Sequence, residues 1–126
     1  MNTTISSIKR PAPAGFTHDA GSEVWYGPRI EGEGWSIFVS WDRLRGISYD
    51  VTTGYDMSTA QVDKLVCALR ELRSRYAAYA LPLDQWEAVA GHDPKPLDVA
   101  QCCDWCAERG ISFASAIAVW QRLGSL

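Results

Sequence analysis

Histidine is scarce in this chain: only His18 and His92 are present. No histidine lies near a candidate nucleophile in sequence, so a Cys–His or Ser–His pair has no local support. The motifs G-x-S-x-G, H-E-x-x-H and G-x-x-x-x-G-K-[ST] are all missing, and with them the commonest local signatures of hydrolases, zinc proteases and nucleotide triphosphatases. The expectation is therefore no enzyme and no cofactor.

A long apolar run is also lacking, which excludes a membrane-spanning helix as a sequence expectation. Lys9 and Arg10 are not followed by an apolar stretch, so no signal peptide is read and a cytoplasmic location is expected. Positive charge is not in excess: the net charge is −3, which disfavours a protein whose main task is to hold a phosphate backbone. The charge is unevenly distributed. Lys64, Arg70, Arg73 and Arg75 outweigh Asp63 and Glu71 in a short basic strip, and the segments before and after it are acidic. No internal repeat occurs.

Cysteine is present four times, but in the wrong arrangement for zinc. "CCDWC" places Cys102, Cys103 and Cys106 on one helical segment, and Cys67 stands alone. A structural zinc site draws convergent ligands from two elements, and here no second pair exists. The helical wheel sets the three thiols beside Val99, in an apolar stripe where free cysteine acts as a small hydrophobe. No metal site is expected. Cys67 falls opposite the apolar stripe of its own helix and should be exposed unless something covers it.

Tryptophan is plentiful, with six in 126 residues. Two of them bound "WSIFVSW" (35–41), in which Trp35, Ile37, Val39 and Trp41 alternate with Ser36, Phe38 and Ser40. This period of two marks a strand. "GISYDV" repeats the pattern with Ile47, Tyr49 and Val51. Residues that face each other across a hairpin must share a face. That condition pairs Trp41 with Ile47, Val39 with Tyr49 and Ile37 with Val51, and leaves the loop 42–46. A third, short strand is read at "SEVWYG", ended by Pro28, Gly32 and Gly34.

The helices follow from local signals. Ser58 and Gln61 form a capping box, flanked by Met57 and Val62 as a staple. Val62, Leu65, Val66, Leu69, Leu72 and Tyr76 recur at helical spacing, a stripe able to cover the odd face of the sheet. Pro82 separates this helix from "LDQWEAVAG". A further helix is read from Asp93 and Pro94 to about Arg109, closed by Gly110 with Ile111 as its Schellman contact. Ser112 caps the last helix, with an apolar face of Phe113, Ala116, Ile117, Trp120 and Leu123.

The resulting expectation is an α+β domain. Residues 1–22 form a flexible arm, tacked down at most by Ile5 and Phe16. Residues 23–126 form one domain: a sheet of about three antiparallel strands over 23–57, a long covering helix over 58–80, and a helical part over 82–126 that ends in an αα-hairpin. Trp35 and Trp41 belong to the core, because exposing them would leave a large apolar patch.

Phe38 points the other way, among serines and Asp50, and is the expected partner-facing aromatic. Glu31 and Glu33 in the glycine-rich "EGEG" turn, and Arg43 and Arg45 at the hairpin tip beside Trp41, complete the expected partner-binding set. The expected function is a non-enzymatic protein-binding module with a regulatory or inhibitory role, of the kind phages and mobile elements direct at nucleic-acid-handling host proteins; a homodimer is compatible with it. Two rivals stand beside it. One is a DNA-binding regulator that uses the last two helices and exposes Ser115, Gln121 and Arg122. The other is a small-molecule module with a pocket near Trp25 and Trp86.

Overall fold

A computed structural model describes residues 10–126. Ile5 and the rest of the segment 1–9 lie outside the described residues. The chain has an α+β fold with four strands: β1 (Thr17–His18), β2 (Val24–Gly32), β3 (Trp35–Asp42) and β4 (Gly46–Thr53). They form one antiparallel sheet in the order β1-β2-β3-β4. Four helices follow: α1 (Thr59–Arg75), α2 (Leu83–Ala90), α3 (Val99–Glu108) and α4 (Phe113–Arg122), with a 3₁₀ turn at Ala77–Tyr79 after α1.

The β3–β4 register is the one the alternation requires: Trp41↔Ile47, Val39↔Tyr49 and Ile37↔Val51. Asp42 pairs with Gly46 as well, so the tip shrinks to residues 43–45. The Asp42 carboxylate accepts from the Leu44 and Arg45 amides at 2.7 and 3.0 Å, which holds the turn from inside. Gly46 takes φ +81° and packs against the carbonyls of Ala80 and Leu81. No other residue supplies both that dihedral and that clearance.

β2 is longer than the sequence suggested. It runs through Pro28 because the β2–β3 register shifts between Tyr26 and Arg29, and the irregularity absorbs the missing proline N–H. Gly27 makes room there for the ring of Phe16, which sits where a Cβ would be. The extra strand β1 pairs Thr17 with Tyr26 and His18 with Trp25.

The flexible-arm expectation therefore does not describe residues 10–22. Phe16 is buried in the sheet core, in edge-to-face contact with Tyr76 at 5.3 Å, and Arg10 is only 7% exposed. A Pro/Ala/Gly-rich segment lacks periodicity, and two anchoring side chains are enough to fix it.

Helix α1 opens with the expected capping box of Ser58 and Gln61. It ends earlier than expected, at the cap residue Tyr76, and tightens into the 3₁₀ turn. Its contact with the sheet runs through Leu65, Ala68, Leu69, Leu72 and Tyr76. Val62 and Val66 fall on the flank of that line and are exposed, so the expected six-residue stripe is narrower in fact.

α3 starts at the cap Asp98, with Gln101 completing a second capping box, rather than at Asp93. The Asp93 carboxylate instead turns the preceding loop by accepting from the Lys95 amide at 3.0 Å. The end of α3 is the expected Schellman motif: Ile111 donates to Cys106 O at 3.0 Å and Gly110 to Ala107 O at 3.2 Å. Gly110 has φ +67°, and Ile111 is buried.

Two cores result. One lies between the sheet and α1: Phe16, Trp35, Ile37, Val39, Trp41, Leu72 and Tyr76. The other is enclosed by α2, α3 and α4 and includes Leu81, Trp86, Val89, Cys102, Cys106, Val119 and Trp120. Burial of each large side chain contributes on the order of 1.5–3 kcal/mol. Val99 lies outside the second core, being 71% exposed at the first turn of α3.

The cores meet at the hairpin tip. Leu83 N–H donates to Leu44 O at 2.9 Å. The Arg10 guanidinium donates to Arg43 O at 2.9 Å, Tyr79 O at 3.2 Å and Leu81 O. It also stacks on Trp41 of one core and Trp86 of the other, at 5.5 and 5.9 Å from the ring centroids.

Candidate functional site: the open face of the sheet

Strand alternation gives the sheet two unlike faces. The odd residues of β3 are buried against α1, and the even ones are only half covered. Cross-strand pairing places Arg29, Phe38 and Asp50 in one row of that second face, Glu31, Ser36 and Thr52 in the next, and Tyr26, Ser40 and Ser48 in a third. Phe38 is thus on the open side, and Tyr26 joins it: their rings stack at 5.5 Å with planes 20° apart. Tyr26 is 39% exposed, and its hydroxyl donates to the Asp19 carboxylate at 3.3 Å. Arg29 pairs with Glu31 at 3.4 Å, both exposed. Asp50, beside Phe38, has no ion-pair partner among the described residues. The face is an aromatic pair within a hydroxyl-rich and mostly acidic surround.

The expected site residues divide into three places. Phe38 and Glu31 share the open face. Glu33 lies in the β2–β3 turn at one end of the sheet. Arg43 and Arg45 lie at the opposite end, about 25 Å away for an eight-residue strand.

At the hairpin tip, Trp41 is interior as expected, and its ring is stacked by Arg10 rather than offered to a ligand. Arg45 lies 3.9 Å from Asp42 and is largely exposed, and Arg43 contributes its carbonyl to the joint. Tyr26 is the residue that sequence reasoning missed. The register shift in β2 hides its alignment with Phe38, and only the paired strand reveals it.

The other candidates are placed as follows. Cys102 and Cys106 are buried, Cys103 is half-buried and Cys67 is exposed. Burial, then the neighbouring Cys102 and Cys103 thiols, push the Cys106 thiol up, which keeps it protonated at neutral pH. Among the described residues no group of three or more His, Cys, Asp and Glu side chains is placed to hold a metal ion.

Ser115 is buried rather than exposed, because α4 is packed through Ser115, Ala116, Val119 and Trp120. Only Gln121 and Arg122 of the three expected donors face solvent. Trp25 and Trp86 do not share a pocket: Trp25 stacks on His18 at 4.8 Å, and Trp86 sits in the helical core. Among the described residues no helix is long and apolar enough to cross a membrane.

No family model, curated protein or solved structure matches this chain.

Proposed function

We propose that the chain is a non-enzymatic protein-binding module with a regulatory or inhibitory role, and that it engages its partner through the open sheet face. The stacked Tyr26–Phe38 pair is the observation that carries this reading. Rigid aromatics at the centre of a polar surround are the usual anchors of protein interfaces. Asp19, Glu31 and Asp50 lie around the pair, with Arg29 already engaged by Glu31. The complementary partner surface is basic with an apolar socket, as on a protein that handles nucleic acid. The burial of α4 argues for this reading over DNA recognition, because a reading helix needs several exposed donors along one side.

Affinity capture from the native host tests the proposal. Phe38→Asp should abolish capture while circular dichroism and the thermal midpoint stay close to those of the parent. The double variant Arg43→Gln/Arg45→Gln should capture nearly as well as the parent. Full capture by Phe38→Asp would rule the open face out.

A further inference from the structure

A second site is carried by the joint between the two cores. Burying a cation without a counter-ion is costly, yet Arg10 is buried and no carboxylate pairs with it among the described residues. Residues 1–9 contain neither Asp nor Glu, so that segment holds no side-chain counter-ion either. The two terminal nitrogens of Arg10 are served by three backbone carbonyls, and its Nε–H has no acceptor among the described residues. Desolvation, then the neighbouring Arg43, bring its pKa down to about 10, with the Asp42 carboxylate, beyond ion-pair distance, acting the other way, so at neutral pH the charge remains.

Arg10 borders a cavity of about 480 Å³, within the size range of small-molecule sites. Arg122 lies on the same cavity, with its guanidinium 4.8 Å from the Tyr79 ring centroid. Tyr79, Trp86, Val119 and Leu123 supply aromatic and apolar walls. The described lining thus holds two positive charges, no negative one, and an aromatic and apolar wall, with Arg10 over the Trp86 ring and Arg122 over the Tyr79 ring.

We propose that this cavity binds a small organic anion: a flat apolar ring carrying an oxyanion, either carboxylate or phosphate. The ring packs against the aromatic wall, and the oxyanion lies in the field of Arg10 with a direct hydrogen bond from Arg122.

Calorimetric titration of the full chain with four probes tests this. Indole-3-acetate carries ring and carboxylate, adenosine monophosphate ring and phosphate, tryptophol the ring alone, and inorganic phosphate the anion alone. At least one of the two ring-bearing anions should bind, and which one distinguishes carboxylate from phosphate; tryptophol and inorganic phosphate should each bind at least about tenfold more weakly. Arg122→Gln, at an exposed position that leaves the joint intact, should weaken the better probe at least about tenfold. Arg109→Gln, over Trp105 on α3, should leave it unchanged. The Arg10 Nε–H resonance should shift on binding. No binding of either ring-bearing anion at millimolar concentration, equal binding of tryptophol, or indifference to Arg122→Gln would each overturn the proposal.

Discussion

The two cores handle their indoles differently. In the helical half, Trp120 is fully buried and its Nε1–H donates to Val89 O at 2.8 Å and His92 O at 3.2 Å. In the sheet half, Trp41 is 3% and Trp35 9% exposed, and neither Nε1–H has an acceptor among the described residues. The helical core is enclosed on several sides by short helices. The sheet is covered by helix on one face only, and α1 contributes a single fully buried side chain, Leu72. The helical half pairs its central indole, although His92 Nε2 there is buried without a partner among the described residues. The other keeps a free face and tolerates orphaned donors, each of which costs about 1–3 kcal/mol.

The largest break in this comparison is Trp120→Ala. It removes a central side chain and both hydrogen bonds, and should cost about 3–5 kcal/mol in chemical denaturation. Next is Gly46→Ala, which forces a Cβ onto the Ala80 and Leu81 carbonyls at a positive φ. It should cost about 2 kcal/mol or more and separate the unfolding of the two halves, seen as non-coincident transitions by fluorescence and circular dichroism.

A finer test sets Trp120→Phe against Trp35→Phe. The first removes both indole bonds and strands His92 O, Val89 O keeping the His92 N–H at 3.1 Å, while the second deletes a donor that has no acceptor among the described residues. Trp120→Phe should be the more destabilising by about 1–2 kcal/mol; equal costs would erase the distinction between the cores.

The smallest effect concerns Tyr49, whose hydroxyl is buried without a partner among the described residues. Burial, then the neighbouring Tyr76, raise its pKa above the ordinary value. A phenol whose folded pKa is raised contributes stability that is complete below the unfolded pKa, near 10, and is lost as pH rises through the folded one. Tyr49→Phe should leave stability at pH 7 within about 1 kcal/mol of the parent and flatten the alkaline fall in the thermal midpoint above about pH 10.

Local signals were the legible part of this fold. The β3–β4 register followed from two runs that alternate in step, and both the Ser58 capping box and the Gly110 Schellman motif are set by residues a few positions apart. Features that depend on distant partners were not legible. Arg10 gives no local sign that it will lie between two tryptophans far along the chain. A two-residue strand such as β1 has no period to detect. The start of α3 was misplaced because Asp93–Pro94 imitates a cap, whereas Asp98 and Gln101 supply it. At the candidate site, alternation sent Phe38 outward, but the bulge at Gly27–Pro28 broke the pattern that would have aligned Tyr26 with it. The acidic turn and the arginine tip lie apart because they flank the two ends of β3.

Fluorine NMR on protein carrying 5-fluorotryptophan and 4-fluorophenylalanine puts the division between interior indoles and an outward phenyl to the most direct test. Exchanging H₂O for D₂O should shift the Phe38 resonance and leave those of Trp35 and Trp41 unmoved. Solvent shifts at the two tryptophans with none at Phe38 would reverse the faces of the sheet and contradict the account.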